Sequence, residues 1–359
     1  MSASVHAGSN PQSADLDRPL SLRAINASLA RAGWSQAGSC PACGSASIRP
    51  FATLRHIAHD RCTRCGFTFA NPLPDDATLA AFYNSSFYNN YRRFEAERIA
   101  REPYFSLSYS DLRRLASWID AEKSARILDF GCGPGSLLAL LRDHYGYENC
   151  EGLELNRQSA EIAARSYGVR VTTDSTTLRG AFDLVMLVEV IEHIPDPTRF
   201  LLQIRDLVRT GGRLFLTTDS VRNTPSRFFP SHSGHFTAPS HVSLFTEAAM
   251  ARCLERAGFV IERMETEPSE TLMGDYLASP FFSLDFLSPQ SADELRDTLY
   301  VPTRLGRLMG LRERRVLPKA LRATKRIDRL LARLAKRLTP VPPSDHLLVM
   351  ARKMDRAPA

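Results

Sequence analysis

The sequence predicts an α/β protein built on a doubly wound sheet. Three observations carry that expectation. Between residues 124 and 266, short apolar runs of strand length alternate with amphipathic stretches of helix length. The first apolar run, "ARILDF", opens onto "GCGPG", three glycines in five residues, and then onto a helical pattern. A late apolar run, "HLLVMAR" at 346–352, adds a strand after a long insertion.

Taken in order, "ARILDF" reads as the first strand and "SLLALLRDHY" as the helix that starts at the glycine turn. "CEGLEL" is the second strand and "NRQSAEIAARSY" its helix. "VRVTT" is the third strand and "FDLVMLV" the fourth. In "PTRFLLQIRDLVR", Phe200, Leu201, Ile204, Leu207 and Val208 share one face, and Gly211 and Gly212 are expected to stop the helix. "RLFLTT" is the fifth strand, "TEAAMARCLERAGF" a helix and "VIERME" the sixth strand. With "HLLVMAR" the count is seven, a Rossmann-like seven-stranded sheet. The expected organisation is a tail over 1–36, a cysteine-bearing unit over 37–72, a helical connector or cap over 73–123, a core over 124–270 plus 344–354, and a helical, basic insert over 271–343.

"SCPACGS" and "RCTRCGF" place Cys40, Cys43, Cys62 and Cys65 in the pattern C-x2-C-x18-C-x2-C. Two such turns can direct four thiolates at one ion, which is the spacing of a zinc ribbon. Four thiolates leave no open coordination position, so a Zn2+ here is expected to be structural. His56 and His59 lie between the pairs and are alternative ligands. Cys132, Cys150 and Cys253 are expected to fill core space.

The glycine turn decides the cofactor. A dinucleotide fingerprint has the spacing G-x-G-x-x-G, whereas Gly131, Gly133 and Gly135 follow G-x-G-x-G. Asp129 ends the first strand, where a carboxylate suits a ligand ammonium and repels a pyrophosphate. Glu154 ends the second strand, where it can accept both hydroxyls of a ribose. Together these favour S-adenosylmethionine (SAM).

"ILDFGCGPG", "GLELN", "FDLVMLVEVIEHIPDP" and "GGRLFLTT" resemble the successive motifs of class I SAM-dependent methyltransferases. The resemblance implies SAM contacts from Asp129, Gly131, Gly133, Gly135 and Glu154, a place for Asp174 near the adenine, and Glu189 at the border of the methyl site. The cysteine unit followed by "FANPLPDDATLAAFYNSSFY", and later "APSHVSLFTEAAMARCLERAGF", are similar to a bacterial subgroup associated with sugar and cell-surface glycan modification. This chain has Thr218-Asp219-Ser220 where relatives show Thr-Pro-Asn, and Ser240-His241 where some sugar C-methyltransferases carry Glu-His.

Methyl transfer needs alignment and, for a hydroxyl acceptor, removal of a proton. His193, after the fourth strand, and His241, after the fifth, are the candidate catalytic bases; His232 and His235 are weaker ones. The loop over 219–241 is expected to shape the acceptor pocket.

The formal charge of +7 is concentrated: residues 311–338 hold eleven Lys or Arg and two acids, leaving the remainder slightly negative. Leu317, Leu321, Ile327, Leu331, Leu334 and Leu338 recur at helical spacing, so this stretch reads as a basic amphipathic helix. Such a helix packs on its own domain, lies on an anionic membrane surface or meets RNA. No apolar run approaches a membrane span, and the N-terminus lacks a secretory pattern, so a cytoplasmic protein is expected, with peripheral contact at the inner membrane face through 311–338. The expected reaction is O-methylation of a sugar, glycan or related small molecule, lipid-linked in one version. An rRNA or tRNA base methyltransferase is the alternative; nucleic acid is disfavoured because "EVIEHI" replaces the Asp/Asn-Pro-Pro-Tyr/Phe signature of many such enzymes. A non-catalytic scaffold subunit is the third reading.

Overall fold

The computed structural model describes residues 21–29, 31–107, 109, 111–178, 181–221, 230–268, 280–295, 298–313 and 344–355. The chain begins with helix α1 (Leu22–Ser28), capped by the Ser21 hydroxyl. Three antiparallel strands follow: β1 (Ile48–Leu54), β2 (Ile57–Cys62) and β3 (Thr68–Ala70). The connector is helical: α2 (Asp76–Tyr83), α3 (Ser86–Arg101) and α4 (Leu112–Ala116), each started by an Asp or Ser side chain that accepts a first-turn N–H.

The core then alternates β4 (Ile127–Phe130), α5 (Ser136–Tyr145), β5 (Cys150–Leu153), α6 (Arg157–Tyr167), β6 (Val171–Thr172), β7 (Phe182–Val188), α7 (Pro197–Leu207) and β8 (Val208–Asp219). After these come β9 (Ser243–Leu244), α8 (Glu247–Arg256), β10 (Phe259–Pro268), the hairpin β11 (Phe282–Phe286) and β12 (Thr298–Pro302), α9 (Arg304–Leu308) and β13 (Ser344–Lys353). Seven strands form one sheet in the order β10-β13-β8-β7-β4-β5-β6. The five from β8 to β6 run parallel, and β13 runs antiparallel between β8 and β10. The parallel strands carry continuous apolar runs because helices cover both faces; Leu128, Val185, Leu187, Leu214 and Leu216 are fully buried. The strand order reverses at β4, between β5 and β7, which opens a crevice at the carboxyl ends of these strands.

Two expectations are corrected. Gly211 and Gly212 do not stop α7. That helix ends at Leu207, and both glycines lie inside β8, Gly211 at φ +71°. Buried, β-branched Val208 pairs with Phe182, and the ladder shifts register just beyond, so strand pairing prevails over continuation of the helix. Within the insert, expected to be helical, residues 282–286 are a strand. In "FSLDF" the apolar residues recur every second position, and Phe282 and Leu284 are buried as a strand requires. The expected basic helix lies almost wholly outside the described residues, as do the tail over 1–20 and residues 222–229 of the acceptor loop.

The cysteine unit is not an appendage. Its sheet continues through β9, which pairs with β3, so its order is β1-β2-β3-β9. Cys40, Ala42, Phe67 and Phe69 share one apolar core with Leu128, Leu201, Phe245 and Met250. The Thr198 hydroxyl donates to the Pro41 carbonyl at 2.8 Å. The Thr246 hydroxyl, which caps α8, also donates to the Cys65 carbonyl at 2.6 Å.

Candidate active site and cysteine cluster

The four cysteine sulfurs lie within 4.8 Å of one another, with Cys40–Cys65 at 3.7 Å and Cys43–Cys62 at 3.6 Å. A tetrahedral site with Zn–S near 2.3 Å requires sulfur pairs about 3.8 Å apart, and a disulfide requires about 2 Å. The donor set therefore fits a tetrathiolate zinc. His59 turns away: it is buried, its Nδ1 faces the Ile57 carbonyl at 3.1 Å, and burial depresses its pKa to about 4. Among the described residues the four cysteines stand together without a histidine.

The glycine turn follows β4. Gly131, Gly133 and Gly135 all have positive φ, at 81°, 55° and 77°. A Cβ at Gly131 would stand 2.7 Å from a Val190 methyl, and one at Gly135 would stand 2.8 Å from a Val169 methyl. Glu154 is wired to the turn: its Oε2 accepts from the Gly133 N–H at 2.9 Å and its Oε1 from the Asn156 N–H at 2.7 Å. Burial raises its pKa against those bonds. Asp129 is 2% exposed and its Oδ1 has no hydrogen-bond partner among the described residues. Burial, and after it the Glu154 charge, push that carboxyl up to about 7. A buried acceptor without a donor, beside a cradle of left-handed glycines, fits a ligand that brings a cationic N–H. The connector closes over the cradle: Glu95, Ser106 and Leu112 line its cavity together with Asp129 and Gly133. Asp174 is exposed after β6, where its Oδ1 accepts from the Thr176 N–H at 2.9 Å and from the Thr176 hydroxyl at 2.7 Å.

A second cavity of about 410 Å³ lies on the far side of the β7 end. Val188 lines the first cavity and Glu189, the next residue, lines the second. One wall is aromatic: Phe82, Phe87, Tyr88 and Tyr91 from α2 and α3, and Phe286 from β11. The lining also carries Arg92, Glu189, Glu192, His193, Asp219, His241 and His346. The structure thus brings His193 and His241 together, their ring centroids 4.9 Å apart, and joins Glu189 to them.

Each of these side chains is held by a partner. His193 Nδ1 lies 2.9 Å from the Ser240 carbonyl and 3.0 Å from the Tyr83 hydroxyl. Burial, and after it the neighbouring His241, lower its pKa to about 3, so the ring is neutral. Asp219 bridges two rings: His241 Nδ1 at 2.6 Å from Oδ2 and His235 Nδ1 at 2.8 Å from Oδ1. Burial opposes its charge, but the two imidazoles outweigh burial and hold its pKa well below the usual carboxylate range. Glu189 sits at φ +54°, strained for a non-glycine, and its Oε1 accepts from the Thr217 hydroxyl at 2.7 Å. Burial, reinforced by the Glu189 and Asp219 charges, drives the Glu192 carboxyl far up.

Residues 91–263 match the family model described as a methyltransferase domain. Residues 91–263 are a class I SAM-dependent methyltransferase domain. The ubiquinone biosynthesis O-methyltransferase of Paraburkholderia xenovorans is 29% identical over 175 residues, which cover 40% of this chain and 73% of that protein. The tRNA U34 carboxymethyltransferase of Chromohalobacter salexigens is 33% identical over 117 residues, covering 31% and 34%. A SAM-dependent methyltransferase structure from Mesorhizobium loti aligns at 17% identity and TM-score 0.41, covering 67% of this chain and 96% of that one. The chain thus spans from about a third to about three quarters of the length of these curated relatives.

Sequence reasoning missed much of the methyltransferase domain's second cavity. Glu192 was overlooked although it precedes His193 in the same short turn, Ile191–His193. Asp219 was noted only as a departure from a motif. His346 had no sequence signal; it reaches the cavity because β13 pairs it in register with Asp219.

Proposed function

We propose that the chain transfers the methyl group of SAM to a hydroxyl of a sugar or glycan unit. The observation that carries this reading is the cavity pair. A glycine cradle with a buried carboxylate whose Oδ1 has no partner among the described residues meets, at Val188–Glu189, a cavity lined both by aromatic rings and by carboxylates and imidazoles. Sugar C–H faces pack on aromatic rings, and sugar hydroxyls pair with carboxylate and imidazole groups. SAM supplies a methyl group already activated by its sulfonium.

The residues of this chain do the rest. Asp129 accepts the ammonium of the methionine part, and Gly131, Gly133 and Gly135 let backbone pass beneath it. Glu154 holds the ribose, Asp174 lies toward the adenine and Glu189 borders the transferred methyl. The acceptor oxygen forms the new C–O bond, sulfur keeps the broken C–S pair, and the acceptor proton leaves through the His193–His241 end of the cavity. The Cys40, Cys43, Cys62 and Cys65 thiolates would hold a zinc that cross-links β1–β3 and, through β9, steadies His241. A lipid-linked acceptor would place this cytoplasmic protein at the inner membrane face, with 311–338 as the contact.

A phenolic hydroxyl is the second reading. The aromatic wall favours it, and a relative acts in ubiquinone biosynthesis as an O-methyltransferase. Purified protein incubated with methyl-labelled SAM should label a nucleotide sugar or a prenyl-linked glycan. Label in phenols alone selects the second reading, and label in tRNA or rRNA alone overturns both.

A further inference from the structure

We infer that Glu192, His193 and His241 form a binding site for a divalent cation at the acceptor end of the cavity, separate from the four cysteines. One oxygen of Glu192 and one nitrogen of each ring lie within 4.8 Å of one another. His193 Nε2 is 3.8 Å from Glu192 Oε1. Two imidazoles and a carboxylate are a donor set for Mn2+, Fe2+ or Zn2+ that leaves coordination positions open.

The partners of these three residues point the same way. His193 Nδ1 faces a carbonyl oxygen, that of Ser240, and an oxygen of that kind only accepts. Nδ1 therefore carries the proton and Nε2 keeps its lone pair. The same holds for His241, whose Nδ1 faces the Asp219 carboxylate. A ring that donates one N–H to a backbone carbonyl or a carboxylate has the tautomer and orientation of a metal-ligating histidine. Glu192 is fully buried, and its Oε2 is taken by the Thr218 hydroxyl at 2.8 Å. Its Oε1 has no hydrogen-bond partner among the described residues. A buried oxygen of this kind, 3.8 Å from an imidazole lone pair, calls for something positive between them, either a proton on Glu192 or a bound cation. The turn is held in place by the Val242 N–H, which donates to the Glu192 carbonyl at 2.9 Å.

The inference rests on the proposed function only in using this end of the cavity for the acceptor. A cation there would draw the acceptor oxygen and ease loss of its proton to solvent. The two imidazoles would then act on that proton through the cation rather than by taking it up. Attack on the methyl carbon and departure of the sulfur are unchanged.

The test uses the full chain carrying one zinc per molecule, titrated with Mn2+ and followed by electron paramagnetic resonance. Thiolate sites disfavour Mn2+, so the cysteines do not compete. One Mn2+ should bind per chain. Glu192→Gln and His241→Asn should each weaken it at least about tenfold, and Asp219→Asn, which is no ligand itself but orients the His241 ring, by ~10–100-fold. Zinc content and SAM binding, read on the same samples, show that each variant is folded. Co2+ visible spectra provide a second reading on wild-type protein. Absence of both Mn2+ and Co2+ binding in wild type overturns the site, as does binding that all three variants leave unchanged. Cation binding without methyl transfer to any acceptor leaves this site standing and sinks the proposed function. Methyl transfer by protein that binds no cation does the reverse.

Discussion

Asp129→Asn removes a charge and keeps the shape. Oδ1 has no partner among the described residues, so its natural partner is the ligand's ammonium. A hydrogen bond between charged groups is worth about 1.5–3 kcal/mol, so SAM affinity should fall roughly 10- to 150-fold. Stability should move the other way. Burial and Glu154 hold the Asp129 carboxyl at about 7, against 3.8 for an ordinary Asp. An acid raised in the folded state has no effect on stability below its unfolded pKa; it lowers stability increasingly as pH rises from the unfolded to the folded pKa, and by a constant amount above that. Asn lacks that burden, so the ligand-free variant at pH 8 should gain up to roughly 4 kcal/mol. The raised pKa also makes SAM binding release a proton. At pH 6 about nine-tenths of Asp129 is protonated, and affinity should climb toward pH 8. Calorimetry in buffers of different ionisation enthalpy reads both affinity and proton release. Unchanged affinity in Asp129→Asn would refute the reasoning. So would affinity and stability falling together, or binding at pH 6 without proton release.

Further outcomes follow from single contacts. Cys62→Ser should lose the zinc and, because the ribbon and sheet share one core, lower a single melting transition by roughly 2–4 °C per kcal/mol lost; two separate transitions would contradict the shared core. Gly135→Ala places a Cβ 3.0 Å from Ala163 Cβ at φ +77°, and should cost about 1–3 kcal/mol in urea denaturation. Glu154→Gln should weaken SAM binding by about tenfold, read by equilibrium dialysis. The His193 ring, its pKa lowered to about 3, should show flat NMR shifts between pH 5 and 8, whereas a midpoint near 6.5 would contradict its burial.

The sheet was legible because parallel strands covered on both faces leave mostly apolar runs, and "ILDF" and "FDLVMLV", each with one Asp, are such runs. The glycine turn and Asp129 were legible because they are contiguous with a strand end, and the cysteine cluster because two C-x2-C turns are local. The end of α7 was not, since β-branched Val208 followed within a few residues by two glycines suits both a helix stop and a strand start; pairing of Val208 with Phe182 decides it. The second cavity was least legible. Its polar wall is assembled across the ladder between β8 and β13, where His346 meets Asp219 127 residues away in the chain, and no local pattern announces such a pair. Its aromatic wall comes from the connector and from a hairpin whose period-two pattern is only five residues long.

The central claim is that the two cavities join a SAM site to a hydroxyl acceptor. The most direct measurement is mass spectrometry of candidate acceptors after incubation with SAM bearing a trideuterated methyl group. The account predicts a sugar or glycan heavier by one labelled methyl, formed by wild type and reduced by Asp129→Asn and His241→Gln. SAM bound in equal stoichiometry with no labelled acceptor of any class would contradict it.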